Sequence, residues 1–313
     1  MKAFILLFIT TVFLYASLFD EAVKDLNNKK YLSAYDKFSK VALSQDNPIA
    51  QYNIALMNYK GLGIPVNKQL AFQWYEMAAQ NGNMQAQNNL AHMYYLGNVV
   101  KKDKEKAIYW YKKSAKQNYA LAQLNLGMIY ERNHTKPSLK KSFKWYKEAA
   151  LNGVIFAQNN LGRMYYFGQG TKKDLKEAFY WFEKSALSGN ALAQINLAMM
   201  YYSGDYVSRD YEKARVWFEK SAKQGNKTAI IKLADLYRKD SKINQDYEKA
   251  FYWYNIAVEK YDNLKSMYYL GYFYYNGLGV NKDKKQGEYW IKKAASKGHE
   301  RSKNFLKIHK INN

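Results

Sequence analysis

Residues 157–189 read AQNNLGRMYYFGQGTKKDLKEAFYWFEKSALSG, and this stretch decides the fold. Small and apolar residues at Ala157, Leu161 and Gly162 run at helical spacing, break at Gly168 and Gly170, and resume at Ala178, Trp181, Phe182 and Ser185 before Gly189. Positions three and four apart share a helix face, so the stretch spells two helices with a turn between them. The same unit recurs along the chain. Trp74, Trp110, Trp145, Trp181, Trp217, Trp253 and Trp290 stand 36, 35, 36, 36, 36 and 37 residues apart, and there is no other tryptophan. A fixed period of this size marks a solenoid, in which each unit buries its apolar face against its neighbours. Such a fold presents a long surface, so binding is expected before catalysis.

Aligned on the tryptophans, the first helix opens AQYN, AQNN, AQLN, AQNN and AQIN in five units, then AIIK and SMYY. Four places on comes an apolar residue (Ile54, Leu90, Leu126, Leu161, Leu197, Leu233, Leu270), followed at once by alanine or glycine. Glycine within a helix costs about 1 kcal/mol relative to alanine. Its use at Gly127, Gly162 and Gly271 therefore implies that a partner helix needs the space. The second helix sets alanine, serine or glycine three places before the tryptophan and alanine or serine four places after it. Eight places past it come Gly82, Asn118, Gly153, Gly189, Gly225, Tyr261 and Gly298, the expected site of a left-handed helix cap. The glycines of GLG 61–63, GQG 168–170 and GLG 277–279 read as chain-turning; a phosphate cradle would need a P-loop context that the sequence lacks. RNHTKPS at 132–138 and RKDSKINQ at 238–245 break this frame and read either as local contact points or as tolerated variants.

The chain of 313 residues has 17% aromatic content and three prolines, which fits packed helices and excludes a disordered linker protein. Its formal net charge of +23 favours acidic partners, although lysine is spread over every repeat, as in compositional drift. Met1 and Lys2 precede an apolar and hydroxyl run from Ala3 to Tyr15, then Ala16 and Ser17. This pattern predicts a secretory signal over 1–17 with cleavage near Ala16 or Ser17; an uncleaved anchor is the alternative. The run is shorter than the roughly 20 residues of a membrane span, so no transmembrane span is expected in the mature chain. Export to the periplasm or medium disfavours nucleic acid as a partner, and no nucleic-acid module is visible. With no cysteine, packing alone must hold the stack.

The pattern A-x-x-x-L-G-x-M-Y-x-x-G-x-G, then K-A-x-x-W-Y-x-K-A-A-x-x-G, is matched by AQNNLGRMYYFGQG and KEAFYWFEKSALSG. On these residues the chain resembles the Sel1-like repeat family, relatives of the tetratricopeptide repeats with a longer interhelical loop. The resemblance implies an all-α, right-handed α/α solenoid of seven helix-turn-helix repeats of about 36 residues over 48–299. An N-terminal capping hairpin is expected over 18–47, echoing the second helix at Ala34, Phe38 and Ala42, and a C-terminal capping helix over 300–313 with Leu306 and Ile308.

Little chemistry is visible. His92, His134, His299 and His309 show no metal-ligand or triad spacing, and HExxH and GxSxG are absent, so no cofactor, metal or catalytic residue is assigned. Some exported, cysteine-rich members of the family have been described as penicillin-binding or β-lactamase-like. Ser138 and Lys141 form an SxxK here, but its companion motifs and the cysteine pairs are missing.

What remains is a surface. Three first-helix positions vary within the constant frame, two, six and nine places after the opening small residue. They read Tyr52, Asn88, Leu124, Asn159, Ile195, Ile231 and Tyr268; then Leu56, His92, Met128, Arg163, Met199, Asp235 and Tyr272; then Tyr59, Tyr95, Glu131, Tyr166, Tyr202, Arg238 and Tyr275. The spacing puts all three on one helical face, which by resemblance to tetratricopeptide repeats lines a concave peptide groove. The candidate partner-binding residues are Asn88, His92, Tyr95, Asn159, Arg163, Tyr166, Met199, Tyr202, Asp235, Arg238, Tyr272 and Tyr275. For the third set, packing between repeats is the competing reading. The asparagine column Asn53, Asn89, Asn125, Asn160 and Asn196 is expected to tie helix to helix. The expected function is an exported scaffold or adaptor for protein or peptide partners in envelope assembly or host contact. The alternative is a binder of peptidoglycan or another anionic envelope component.

Overall fold

A computed structural model describes residues 2–239 and 245–311, without the side chains of 2–14 and 45. The side chains of most of the apolar run at 3–15 and the centre of the 238–245 loop therefore lie outside what is described. The described residues are all-helical, with no strand. They form two compact units, residues 1–154 and 155–313.

The first unit holds α1 (Lys2–Asn27), α2 (Tyr31–Gln45), α3 (Pro48–Lys60), α4 (Lys68–Gln80), α5 (Met84–Leu96), α6 (Lys104–Lys116), α7 (Ala120–Glu131) and α8 (Lys136–Leu151). The second holds α9 (Ile155–Phe167), α10 (Leu175–Leu187), α11 (Ala191–Ser203), α12 (Tyr211–Lys223), α13 (Lys227–Lys239), α14 (Tyr247–Tyr261), α15 (Leu264–Asn276), α16 (Lys284–Ser296) and α17 (Glu300–Ile308). Within each unit consecutive helices pack as hairpins, and each hairpin packs on the next. Among the described residues no helix is long and apolar enough to cross a membrane.

Local chemistry sets the boundaries. Asparagine opens many first helices: the side chains of Asn47, Asn83, Asn190 and Asn263 accept backbone N–H groups of the first turn. Aspartate does the same for second helices at Asp103, Asp174, Asp210, Asp246 and Asp283. Each such cap is worth about 1 kcal/mol. The second helices of six repeats start from one further bond. Asn67, Asp103, Asp174, Asp210, Asp246 and Asp283 donate their N–H to the carbonyls of Asn58, Tyr94, Tyr165, Tyr201, Tyr237 and Tyr274. Repeat six keeps this bond although its loop differs in sequence.

The left-handed residue after the second helix falls where expected at Gly82, Asn118, Gly153, Gly189, Gly225 and Gly298. Repeat six departs. Tyr261 stays helical and Asp262 takes the left-handed conformation, because a short polar side chain tolerates positive φ better than a bulky ring.

The tryptophans that mark the period are mostly half-buried. The centre of each hairpin is instead the residue that follows: Tyr75, Tyr111, Tyr146, Phe182, Phe218, Tyr254 and Ile291 are all buried. The small residues face them. A Cβ on Gly127 would lie 2.5 Å from the Tyr146 ring, and one on Gly162 would lie 2.7 Å from the Phe182 ring. The recurrent AQ has its own role. Gln87, Gln123 and Gln194 are buried and donate to the carbonyls of Ala79, Ala115 and Ala186 on the preceding hairpin. Each also accepts from Gln117, Asn152 or Gln224 at the end of the following second helix, at 2.8, 2.8 and 2.9 Å. This amide ladder satisfies buried polar groups while stitching hairpin to hairpin. The terminal helix α17 closes the second unit with Phe305 and Leu306 buried, whereas Ile308 is exposed.

Candidate partner-binding surface

The three variable columns occupy one face of the first helices, and the structure grades them by depth. Those two places after the opening residue are the deepest. Asn88 is 8% exposed and Asn159 is 2% exposed, and Ile195 and Tyr268 are buried too. Asn125 Nδ2 donates to Asn88 Oδ1 at 3.1 Å, and Asn196 Nδ2 donates to Asn159 Oδ1 at 2.9 Å. Asn88 and Asn159 thus pair with the asparagine column of the next repeat and form the floor of the surface. The column joins repeat to repeat while Asn89, Asn125 and Asn196 also line surface depressions.

The second and third columns form the walls. In the first unit one depression is lined by Leu56, Tyr59, Tyr75, Asn89 and His92, and another by His92, Tyr95, Tyr111, Asn125, Met128 and Arg132. In the second unit Arg163, Tyr166, Phe167, Phe182, Asn196 and Met199 line one of about 370 Å³. The next is lined by Met199, Tyr202, Phe218, Lys232, Asp235 and Lys239. These hollows have aromatic floors with amide and charged rims, the composition found at protein interfaces.

Several wall residues are already engaged. His92 Nδ1 lies 3.3 Å from the Tyr111 hydroxyl, and Arg132 donates to the Tyr95 hydroxyl. The Tyr166 hydroxyl donates to Asp205 at 2.7 Å, and Tyr202 packs against Tyr211. Tyr254 donates to Asp235 at 2.6 Å, Arg238 Nε donates to the same hydroxyl at 3.1 Å, and Lys265 donates to the other Asp235 oxygen. Tyr272 and Tyr275 meet Phe305, and Tyr275 also meets His309, so both help to seat α17. In the last repeat the third column therefore packs against its neighbour.

Sequence reasoning passed over the second-helix floor, yet a signal was present. Three of the four tyrosines that follow a tryptophan meet a polar group on the first helix of their own repeat: Tyr111 with His92, Tyr146 with Glu131, Tyr254 with Asp235. Phenylalanine stands there at 182 and 218. Burial raises the Tyr75 and Tyr111 hydroxyls far above their ordinary value. The Tyr254 hydroxyl is raised too, by burial and by the Asp235 charge beside it.

Ser138 and Lys141 are held structurally. Ser138 is buried at the start of α8 and donates its hydroxyl to the Tyr130 carbonyl, while the Lys141 ammonium sits over the Tyr130 ring. A serine nucleophile needs its hydroxyl hydrogen-bonded to a base, which this arrangement does not provide.

Seven segments match the Sel1 repeat model: 48–83, 85–119, 120–154, 155–190, 191–226, 228–262 and 264–299. No curated protein matches the chain. Among solved structures it is similar to c5321, a protective antigen present in uropathogenic Escherichia coli strains displaying an SLR fold, at 32% identity and a TM-score of 0.85. That likeness covers 93% of this chain, which spans 63% of the other protein's length. It is also similar to a Sel1 repeat protein from Oxalobacter formigenes, at 26% identity and a TM-score of 0.68, over 88% of this chain and 79% of that one. Sel1 repeat solenoids are generally non-enzymatic and mediate protein interactions. With seven matched repeats filling residues 48–299, the chain belongs to the Sel1 repeat family.

Proposed function

We propose that this protein is a non-enzymatic scaffold that binds protein or peptide partners along the variable face of its first helices. What carries the reading is the series of hollows in that face, above all the one framed by Arg163, Tyr166, Phe182 and Met199. An aromatic floor under polar walls suits an extended segment whose side chains drop into successive hollows. We place the protein outside the cytoplasm, in the periplasm or secreted, where it serves envelope assembly or host contact. The support is the Met1–Ser17 leader pattern.

The test is capture from an envelope extract with the tagged protein and with a variant carrying Arg163→Ala, Tyr166→Ala and Met199→Ala. Partners retained at physiological salt by the native chain and lost by the variant, with helicity unchanged, support the scaffold. Retention by both sinks the groove. Binding only to wall fragments, removed by salt, would instead assign the role to the net charge of +23. N-terminal sequencing of the exported chain tests the leader, and an intact Met1 would exclude cleavage.

A further inference from the structure

The column beside the floor changes character along the second unit. The asparagine column at Asn160 and Asn196 gives way to Lys232 and then Tyr269 in the last two repeats. Tyr269 is 5% exposed and its ring stacks on Tyr254 at 5.1 Å. Three cations converge on that ring: Arg238 at 4.1 Å from its centroid, Arg301 at 5.4 Å and Lys265 at 6.0 Å. Arg301 also donates to the Tyr269 hydroxyl at 2.8 Å.

One carboxylate answers them. Asp235 pairs with Arg238 and Lys265, and among the described residues no carboxylate lies within ion-pair distance of Arg301. Arg238 is left incomplete. Its Nη2 is buried and has no hydrogen-bond partner among the described residues, and it stands 3.8 Å from Asp235 Oδ1, beyond hydrogen-bond reach. Lys232 and Lys239 line the adjoining hollow with Asp235. A cluster with surplus positive charge is relieved by an incoming anion, which reaches this one through the partly exposed Lys265 and exposed Arg301 side chains.

We propose that Arg238, Lys265 and Arg301, gathered on the Tyr269 ring, form a cradle for the carboxylate groups of an acidic segment in the protein partner. The inference rests on the partner-binding reading above and names the partner's chemistry. Carboxylate is favoured because guanidinium forks bind it in two-point fashion.

The experiment titrates fluorescein-labelled hexaglutamate with the full chain by anisotropy at physiological salt. Lys265→Gln/Arg301→Gln is expected to bind about tenfold more weakly, whereas Lys184→Gln/Lys220→Gln, with the same charge change on the second helices, should stay within about twofold. Equal loss in both variants would reduce the effect to net charge and overturn the cradle. So would no binding by the native chain. Displacement by hexametaphosphate as effective as by unlabelled hexaglutamate would make the site a general anion site and overturn the carboxylate assignment. If the double variant loses helicity, Lys265→Gln alone, whose side chain is 43% exposed, carries the comparison. Failure of hexaglutamate to bind, with partner capture still dependent on Arg163, Tyr166 and Met199, would remove the cradle and leave the scaffold standing.

Discussion

The Tyr166 hydroxyl donates to the Asp205 carboxylate at 2.7 Å, so the surface of one repeat is fixed by the interhelical loop of the next. That hydrogen bond, followed by burial, holds the Tyr166 pKa above its ordinary value, since losing the proton would set two negative charges together. Asp205→Ala should bring the Tyr166 titration down towards an unperturbed tyrosine, read by the NMR shift of its ring carbon. The accompanying stability loss should be about 0.5–1 kcal/mol, as for one partly exposed hydrogen bond. An unmoved titration would mean that burial alone sets it.

The buried tyrosines predict an alkaline limit. Tyr75, Tyr111 and Tyr254 all have raised pKa values, chiefly through burial. A group whose folded pKa lies above its unfolded one contributes stability that is complete below the unfolded value and lost as pH rises through the folded one. The unfolded chain releases these protons near pH 10 while the folded chain retains them, so melting temperature should fall steeply above about pH 10. Tyr111→Phe should flatten that fall while lowering stability near neutrality only slightly. An unchanged slope would sink the assignment.

The helical glycines separate two opposing effects. Alanine at Gly162 gains about 1 kcal/mol of helix propensity, against an overpacking cost of about 1–3 kcal/mol from a Cβ 2.7 Å from the Phe182 ring. The ring can tilt, so a small net loss is expected. At Gly287 the nearest atoms are the Tyr275 backbone nitrogen at 2.7 Å and the Gly271 oxygen at 2.8 Å, which cannot swing aside. Gly287→Ala should therefore be clearly the more damaging of the two in thermal melts. The reverse order would mean that α15 and α16 separate easily.

How much of this was legible follows from what repeats. The tryptophan period and the small residues recur in all seven repeats and the left-handed cap in six, so hairpins and the constrained places at Gly127 and Gly162 could be read directly. Depth could not. Asn88 and Arg163 both belong to variable columns on one helical face, yet Asn88 is sealed by Asn125 of the next repeat while Arg163 lines a hollow. Arg238 and Asp235 stand three places apart on one helix, but the convergence of Arg238 with Lys265 and Arg301 on Tyr269 depends on residues more than 25 positions away. Single-helix periodicity carries no information about such contacts.

The loop that supplies Asp205 is under backbone strain. Tyr206 has φ of +68°, at the place where three other repeats put Gly63, Gly170 and Gly279. A bulky side chain there costs about 1–2 kcal/mol. The ring recovers part of this by packing 5.7 Å from Phe179, and it remains 53% exposed. Tyr206→Gly loses that contact and adds unfolded-state freedom but removes the strain, so stability should change by less than about 1 kcal/mol. Tyr206→Ala loses the contact and keeps the strain. It should be less stable than Tyr206→Gly by about 1 kcal/mol, measured by urea unfolding with an unchanged slope. Alanine at least as stable as glycine would show that the loop relaxes out of the left-handed region once the ring is removed. Asp205 would then have to be tested in that relaxed background before Tyr166 is said to be held by a preset loop.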